Sequence, residues 1–410
     1  MQQFDVAIVG GGMVGASCAL ALAGTGRSVV LIEGVAPDAV NQPSFDERTT
    51  ALGNASRRIF EGLGVWQHIQ PAAAAIRTIH VSEAGRFGFA RLKAAEQGID
   101  AFGYVVANRV VGASLWRALA EAQGVSLRVP ATPETVEIGR DRVSLTIVDA
   151  VGGRERFTAS VVVAADGAHS AVRAAAGIDA AVEDYEQVAL VCNVAADRAN
   201  DGTAYERFTL CGPLAVLPVH DGSFTLVWTV AAAHAQRFLE LPDAQFLQEL
   251  QTRFGWRAGR FVRSGRRASY PLALTRAAVT VGTRAVLIGN AAQALHPVAG
   301  QGFNLGLRDA ATLAELLSAG ADDAGAAELL SQYAQWRARD RNGVIRFTDG
   351  LIKLFGDART SVGMLRNLGL LLFDLAPPAK SALARVSAGF GGPTPRLARG
   401  LALSGLRTRG

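Results

Sequence analysis

The sequence predicts an α/β protein with a parallel βαβ unit at its start, an inserted antiparallel β-rich region and a helical C-terminal segment. Within residues 4–32, two apolar runs with the length of buried parallel strands flank a helix rich in small residues. Residues 183–272 contain short β-rich segments separated by Gly, Pro and Asp, a pattern typical of antiparallel strands. After residue 340 the sequence is helical and basic in character.

The composition is that of a globular protein of about two to three domains. The chain has 410 residues, of which 50% are hydrophobic and 19% charged, so it can bury a large core. Three scattered cysteines and six histidines without paired spacing argue against a disulfide framework and a metal site. The N-terminus lacks a secretory signal, and no apolar run approaches the roughly 18–20 residues that span a bilayer. We therefore expect a cytoplasmic protein.

The first unit carries a glycine fingerprint. Gly10-x-Gly12-x-x-Gly15 stands between the predicted strand Phe4–Val9 and the predicted helix Val14–Gly24. The first glycine permits a tight turn, the second lets the backbone approach a pyrophosphate, and the third lets the helix pack close to the sheet. The helix N-terminus then attracts the negative charge of the pyrophosphate. This unit predicts a dinucleotide site.

An acidic residue completes the fingerprint. The second predicted strand, Ser28–Ile32, is followed by Glu33, whose carboxylate can accept the ribose hydroxyls of an adenosine. A negative charge at this position disfavours a 2′-phosphate. FAD and NAD both remain open at this point.

A second motif with an acidic residue, Asp166-Gly167, follows further along the chain. A loop and an amphipathic helix follow Pro43, residues 76–106 lose helical periodicity, and Val110–Gln123 regains it. Asp166-Gly167 follows directly on the last of the four strands predicted next, which are Ser126–Val129, Thr135–Ile138, Val143–Val148 and Ala159–Ala164.

The β-rich region contains four predicted strands and one helix, at residues 243–254. The strand Ala285–Ile288 then runs into Gly289-Asn290 and a glycine-rich loop, and a long helix is expected to begin near Asn304. The four strands of the β-rich region are Val188–Ala195, Arg207–Cys211, Leu214–Val219 and Ser223–Ala231.

Three motifs now follow one another along the chain: Gly10-x-Gly12-x-x-Gly15, Asp166-Gly167, and Gly289-Asn290 with its glycine-rich loop. In this order they resemble the motifs of the FAD-dependent aromatic hydroxylases of the p-hydroxybenzoate hydroxylase fold. The run HPVAGQGFNLGLRD, residues 296–309, is similar to the signature of the ubiquinone-biosynthesis hydroxylases. The GNAAQALHP around its start most resembles the 2-polyprenyl-6-methoxyphenol hydroxylase branch. The resemblance covers roughly residues 1–375. It implies a Rossmann-like FAD-binding domain with an inserted antiparallel β-sheet substrate domain and a C-terminal helical segment.

Domain boundaries follow from this resemblance. The FAD-binding domain is expected to be discontinuous and to comprise residues 1–75, 100–182 and 273–345. Residues 76–99 and 183–272 are expected to form the substrate domain, and residues 346–410 a C-terminal helical basic region.

The resemblance also implies the cofactor-binding residues. Arg48 matches an arginine near the FAD phosphates or the moving flavin, and Arg109 falls where relatives contact FAD. Asp166 matches an aspartate that contacts the cofactor and helps hydride delivery; alternatively, it caps the helix beginning near Ser170. Many relatives carry aspartate where this chain has Asn290, which keeps a hydrogen-bond acceptor but loses the charge. The remaining residues expected to contact the flavin are Gly289, Gly300, Gln301, Gly302 and Asn304, the last through backbone and side chain.

Two residues of the loop are expected to act catalytically. By family resemblance, Pro297 lines the substrate side of the flavin ring. His296 stands beside it and either acts as a general base or orients the loop.

The reaction that the resemblance implies depends on the cofactor, because no side chain hydroxylates an aromatic ring. NADPH or NADH reduces FAD, O₂ adds to form a flavin C4a-hydroperoxide, and the ring of a polyprenylated phenol attacks the distal oxygen. The substrate expected from the branch is 2-polyprenyl-6-methoxyphenol. A C5 ring hydroxylase of the same pathway, a non-catalytic FAD-binding scaffold and an NAD-dependent dehydrogenase are the alternatives.

The net charge of +5 is concentrated at the C-terminal end. From Arg341 onward, eleven Lys and Arg stand against three acidic residues, and the preceding part is slightly acidic. Such a segment can contact anionic lipid at the inner face of a membrane, dock to other ubiquinone-biosynthesis enzymes, or form an ordinary solvated helix face. No nucleic-acid partner is expected.

Overall fold

The protein is described here by a computed structural model, which covers residues 1–39, 42, 48–209, 211–296, 298–320, 322–356, 369, 372–374 and 376–403. Within this part of the chain, twenty strands and ten helices are labelled in chain order. The strands are β1 Gln2–Val9, β2 Val29–Ile32, β3 Thr49–Gly53, β4 Ala74–Ile76, β5 Thr78–Glu83, β6 Phe89–Lys93, β7 Gly103–Ala107, β8 Val125–Arg128, β9 Ala131–Ile138, β10 Val143–Asp149, β11 Arg154–Ala164, β12 Ala180–Ala196, β13 Thr203–Thr209, β14 Gly212–Pro218, β15 Phe224–Ala231, β16 Phe261–Ser264, β17 Ala268–Ala277, β18 Val281–Gly282, β19 Ala285–Leu287 and β20 Gln293–Ala294. The helices are α1 Met13–Leu22, α2 Asn54–Gly62, α3 Trp66–Ile69, α4 Asn108–Ala120, α5 Ala171–Ala175, α6 Ala232–Glu240, α7 Asp243–Phe254, α8 Gln301–Ser318, α9 Ala327–Gly356 and α10 Pro377–Ser387.

The first sheet has eight strands in the order β18-β19-β11-β1-β2-β8, with β10 on β11 and β9 on β10. Its centre, β19-β11-β1-β2-β8, is parallel. Val6 and Ile8 of β1 are fully buried against a core that includes residues of α1, α4 and α8, while Ala7 and Val9 join a core on the opposite face. Burial on both faces explains why these strands read as continuous apolar runs.

The second sheet has nine strands in the order β20-β17-β12-β15-β14-β13-β5-β6, with β16 beside β12. All its pairs are antiparallel except β13–β5, which is parallel because β5 comes from a separate stretch of chain. One face packs against α6 and α7 through Trp228, Phe238 and Phe246. This arrangement of two sheets confirms the predicted fold class.

A third sheet, β3-β7-β4, is antiparallel and joins the two large sheets. Strand β3 and helix α6 were missed from the sequence. The expected loop before α2 ends in β3, and the inserted region has two helices rather than one. The domain boundaries stay predictions; β17 crosses the boundary expected at residue 273, and β20 pairs with β17.

The C-terminal segment returns to the first core. Leu397 and Ala398 are fully buried beside α2, and the Ala55 N–H donates to the Ala388 carbonyl oxygen at 2.9 Å. Arg341, counted above in the basic segment, is buried and donates to the carbonyl oxygens of Ala277 and Ala292. Among the described residues, no helix is both long enough and apolar enough to cross a membrane.

Candidate functional site

A cavity of about 1480 Å³ lies between the first two sheets. Ligand pockets commonly measure about 300–1,000 Å³, so this one has room for more than one small molecule. Its polar end is formed by the turns after β1, β11 and β19 and by the N-termini of α1 and α8. Its apolar end is formed by β5, β6, β13 and β14, by α9 and by residues near α10.

The glycine fingerprint forms one corner of the polar end. Gly10 has φ +101°, which favours glycine, and a Cβ there would collide with the carbonyl oxygen of Ala165. Gly10 and Gly12 line the cavity, whereas Gly15 lies inside the contact between α1 and the turn, where a Cβ would collide with the Gly10 oxygen. No side chain caps α1 at Gly12, so the free N–H groups of its first turn are available to an anion.

Glu33 lines the cavity beside this turn. Its Oε2 accepts a hydrogen bond from the Gly11 N–H at 2.5 Å, and its Oε1 accepts one from the Val35 N–H at 2.9 Å. A carboxylate has about four lone-pair positions, so each oxygen keeps one for a hydroxyl group. The fingerprint and the acid predicted with it therefore lie together.

Asp166 faces the same corner from the turn after β11. Its Oδ2 accepts a hydrogen bond from the Val172 N–H at 3.2 Å in the first turn of α5, and Ser170 caps the same helix. Oδ2 of Asp166 therefore caps the helix, as the alternative interpretation predicted. The other, Oδ1, is buried and has no hydrogen-bond partner among the described residues, although Asp166 lines the cavity. A buried acceptor of this kind fits a ligand that donates a hydrogen bond.

Arg173 was not predicted as a site residue, yet it connects two turns of the site. Its guanidinium donates to the Ala168 carbonyl oxygen at 2.8 Å and to the Ala291 carbonyl oxygen at 3.0 Å. It therefore ties the turn that holds Asp166 to the turn after β19. Its place in the run DGAHSAVR was the only signal that could have indicated it.

The second helix N-terminus of the cavity is that of α8. The helix begins at Gln301, three residues before the expected start, and Gly300 occupies its N-cap with φ +59° and no side-chain cap. Gly300, Gln301 and Gly302 all line the cavity. Two uncapped helix N-termini therefore face one cavity, and both favour negative charge on a ligand.

Asn304 lines the cavity, but its side chain bonds within the protein. Its Oδ1 accepts from the Gly53 N–H at 2.8 Å and from Ser56 Oγ at 2.6 Å, and its Nδ2 donates to the carbonyl oxygens of Ala51 and Gly300, both at 2.8 Å. These four bonds use the full capacity of an amide. The expected side-chain hydrogen bond from Asn304 to a flavin therefore has no free position, because the amide fastens α8 to β3 and α2.

Gly289 and Asn290 line the cavity at the turn after β19, and Asn290 is exposed. A buried ionic network holds this turn from behind. Asp309 accepts from the Gly289 N–H at 3.3 Å and from Gln293 Nε2 at 2.9 Å, while its other oxygen accepts from Arg337 Nε at 2.7 Å. Its remaining members are Arg308 and Asp340. Arg308 and Asp309, the last two residues of the run HPVAGQGFNLGLRD, therefore support the turn from inside the protein.

The two predicted arginines differ in position. Arg48 lines the cavity, and its guanidinium lies 4.5 Å from the centre of the Tyr270 ring. Arg109 is exposed and is not part of the cavity lining that the described residues form. Its neighbour Asn108, missed from the sequence, lines the cavity and accepts a hydrogen bond from Thr50 Oγ1 at 2.7 Å.

His296 is 2% exposed and is not one of the described residues that line the cavity. Its Nδ1 accepts from the Val298 N–H at 3.1 Å, and its ring packs edge-on against Tyr185. Burial lowers the pKa of His296 to about 4, so the ring is neutral near pH 7 with its proton on Nε2. The only basic nitrogen is therefore occupied within the loop. Pro297, the other residue expected to act catalytically, lies outside the described residues.

Among the described residues, one carboxyl group lines the apolar end. Its lining includes Ile79, Val81, Leu217 and Phe355, and among them stands Glu206, whose Oε1 is buried without a hydrogen-bond partner among the described residues. Burial raises the pKa of Glu206 to about 7. Sequence reasoning missed Glu206, because an acid alternating with apolar residues reads as the solvent-facing side of a strand.

The polar end fits a dinucleotide. It combines a glycine turn that a Cβ would fill, two helix N-termini, a ribose-binding carboxylate and the unpaired Asp166 Oδ1. The apolar end fits a hydrophobic molecule.

Comparison with known families agrees with this geometry. The model of the family described as FAD binding domain matches residues 3–348. Ubiquinone hydroxylase UbiL of Rhodospirillum rubrum is 37% identical over 97% of this chain and 93% of its own length. The 3-demethoxyubiquinol 3-hydroxylase of Escherichia coli is 33% identical over 95% of this chain and 99% of its own length.

Solved structures share the fold. The p-nitrophenol 4-monooxygenase PnpA of Pseudomonas putida DLL-E4 superposes with a TM-score of 0.79 at 20% identity, covering 96% of this chain and 99% of PnpA. The flavin-dependent monooxygenase PieE, in complex with FAD and substrate, gives a TM-score of 0.72 at 18% identity, covering 95% of this chain and 71% of PieE. At these identities the likeness shows the fold alone.

Proposed function

This chain belongs to the family of FAD-dependent ubiquinone-biosynthesis hydroxylases, and from that premise we propose that it hydroxylates a polyprenylated phenol with O₂ and electrons from NADPH or NADH. One observation carries the proposal. A single cavity joins a polar end suited to FAD with an apolar end suited to a prenylated ring, so cofactor and substrate would share one space. The family accounts for FAD binding and hydroxylase activity.

The polar end would hold FAD through groups already in place. The N-terminus of α1 at Gly12 would hold the pyrophosphate, Glu33 would accept from the ribose hydroxyls, and Gly300–Gly302 and Asn290 would contact the flavin. When bound, FAD supplies the redox chemistry that activates O₂, which no side chain provides.

The chain's own residues orient the reactants and exclude water. In this proposal Asp166 accepts a hydrogen bond from the cofactor through Oδ1 and helps to place the nicotinamide, and Arg48 contacts the phosphates. Pro297 lines the substrate side of the ring. His296 holds the loop through its bond from Val298, and Arg109 stays a predicted FAD contact from outside the cavity.

The substrate proposed is 2-polyprenyl-6-methoxyphenol, on the resemblance of GNAAQALHP to that branch. The C5 ring hydroxylase of the same pathway is the second candidate, and a non-catalytic FAD-binding scaffold is the third. The E. coli relative named 3-demethoxyubiquinol 3-hydroxylase adds a demethoxyubiquinol to the compounds worth testing.

Deletion of the gene, followed by mass analysis of quinone intermediates, separates these candidates. Accumulation of the 6-methoxyphenol supports the proposed substrate, and accumulation of an earlier phenol supports C5 hydroxylation. Purified holoprotein with 2-geranyl-6-methoxyphenol should gain one oxygen atom in the product. NADH or NADPH oxidation that is indifferent to every phenol, with no hydroxylated product, would favour the scaffold.

We also propose that the cavity rim contacts anionic lipid, from which an insoluble prenylated substrate would enter. Leu354 and Phe373 line the cavity near its end, and Leu354 and Leu372 are 47% and 58% exposed. Lipid contact requires such apolar side chains together with nearby basic ones. Flotation with anionic and neutral liposomes tests it. Equal flotation of the wild type and Leu372→Gln on anionic liposomes would remove this role for Leu372.

A further inference from the structure

Among the described residues of the second sheet that line the cavity, Glu206 alone carries a carboxyl group. Side chains of β13 alternate, so Ala204, Glu206 and Phe208 share the face that lines the cavity. The residues paired with Glu206 are Val81 on β5 and Ala215 on β14, and both line the cavity. A carboxyl group in such surroundings has lost its hydration without gaining a protein donor.

The surroundings of Glu206 explain its unpaired oxygen. Phe355 of α9 stacks on Phe208 with ring centres 3.7 Å apart, two positions along the strand. Oε1 of Glu206 is buried and finds no donor among the described residues. Because native proteins rarely leave a buried acceptor unpaired, this atom points to a donor that arrives with a ligand.

The charged groups of the neighbouring elements are engaged elsewhere. On β13 itself, Arg207 donates to the Arg253 carbonyl oxygen and to Ser82 Oγ on the other face of the sheet. On α9, Lys353 pairs with Asp349 at 2.8 Å. Glu83, at the end of β5, lies on the same strand face as Val81 but is not among the described residues that line the cavity. Strand β14 carries no charged residue. Burial raises the pKa of Glu206 to about 7.

We propose that Glu206 receives the hydroxyl group of the phenol substrate and accepts its proton as the ring is hydroxylated. This inference rests on the proposed function. The phenol O–H bond breaks, its electron pair stays with the substrate oxygen and delocalises into the ring, and the proton forms the O–H bond of the Glu206 carboxyl group. The negative charge passes from carboxylate to substrate, so charge balances. An electron-rich ring is the better nucleophile toward activated oxygen.

The site also fixes which end of the substrate faces the flavin. Glu206 is the polar group on an apolar wall, so a prenylated phenol that donates to it must leave its tail along the side chains of α9 and near α10. The carboxyl therefore orients the ring as well as receiving its proton.

Glu206→Gln keeps the shape of the side chain and removes its ability to take a proton. With holoenzyme and 2-geranyl-6-methoxyphenol, we expect the wild-type kcat/KM to rise about tenfold per pH unit up to about pH 7 and then level off. In Glu206→Gln we expect a value lower by about 10²-fold or more at pH 8, without that rise. Glu183→Gln, at an exposed position of β12 in the same sheet, should keep the wild-type profile.

A binding measurement tests the proposal even without turnover. At pH 8 the wild type should bind 2-geranyl-6-methoxyphenol more tightly than its phenolic methyl ether, which has no proton to donate, and Glu206→Gln should lose most of this preference. A Glu206→Gln variant with the wild-type preference and pH profile would overturn the proposal while leaving hydroxylation standing. Normal phenol binding with no product from any variant would instead count against the proposed function.

Discussion

At the scale of single residues, the cavity is marked by carboxyl oxygens without protein partners. Asp166 Oδ1 and Glu206 Oε1 are both buried and unpaired among the described residues, one at the polar end and one at the apolar end. An unpaired buried acceptor costs about 1–3 kcal/mol. The sequence indicated Asp166, because a motif surrounds it, and could not indicate Glu206, whose neighbours in space come from β5 and β14.

Asp166→Asn should weaken FAD binding without unfolding the protein. The amide oxygen can still accept from the Val172 N–H, but the group facing the cavity becomes an N–H₂ donor. We expect the dissociation constant for FAD, measured by quenching of flavin fluorescence, to rise roughly tenfold. Asp179→Asn, at an exposed position, serves as the control. Unchanged affinity in Asp166→Asn would mean that Oδ1 does not face the cofactor.

Glu206 should also affect stability in a pH-dependent way. Its folded-state pKa of about 7 lies above the ordinary value of 4.5, so the folded protein binds the proton more tightly than the unfolded chain. Its contribution to stability is therefore present below about pH 4.5 and is lost as pH rises to about 7. Relative to Glu206→Gln, the wild type should lose on the order of 3 kcal/mol between pH 5 and 8. Urea unfolding of the apoproteins at both pH values measures this; parallel pH dependences would contradict it.

At the scale of elements, the N-terminal half of α8 is held in place by hydrogen bonds within the protein. Asn304 fastens it to β3 and α2, and Asp309 links its third turn to the Gly289 turn and to α9. A glycine-rich loop has little stiffness of its own. The geometry of the flavin-facing loop therefore depends on these buried bonds.

Arg337→Met should destabilise the protein strongly. The side chain is 1% exposed and bonds Asp309 and Asp340, so its loss removes the ion-pair partner of buried Asp309 and leaves Asp340 with Arg308 alone. We expect a decrease of about 3–5 kcal/mol in the free energy of unfolding by urea. The matched control is Arg154→Met, which breaks the exposed pair with Glu134 and should leave the free energy of unfolding nearly unchanged. Similar decreases in the free energy of unfolding of both variants would show that the buried network contributes no more to stability than the exposed ion pair.

Prediction from sequence succeeded where the signal is local. The βαβ unit was found because burial on both faces gives continuous apolar runs. The glycine-containing turns after β1, β11 and β19 were found because backbone geometry demands glycine at positions such as Gly10. Strand β3 was missed since it is stabilised by pairing with β7, some fifty residues away. Helix α6 follows β15 directly, with no Gly or Pro to mark the change. The apolar end of the cavity combines strands and helices that are far apart in sequence. A single sequence does not indicate which of these segments lie next to each other.

At the scale of the whole molecule, the described residues 376–403 of the basic C-terminal segment are part of the fold. Leu397 and Leu403 are buried in the same core as β1 and α1, and the Arg396 N–H donates to Glu315 at 2.6 Å. An interpretation as a free tail therefore does not apply to these residues.

Leu397→Ala should therefore cost about 2–5 kcal/mol, as expected for a large-to-small change in a packed core. Leu397 is fully buried beside Gly62 of α2. Leu401→Ala, at a position 44% exposed, is the control and should change stability by less than about 1 kcal/mol. Thermal unfolding of both variants measures the difference. A Leu397→Ala protein as stable as the control would show that the segment is not part of the cooperative unit.

The closure of the first core by the end of the chain has a consequence for biosynthesis. Strand β1 emerges from the ribosome well before its neighbour β11, and Leu397 and Leu403, which lie in the same core as β1, emerge much later. This core is therefore completed only after Leu403 has been synthesised, so the N-terminal strands spend most of translation without the residues that cover them.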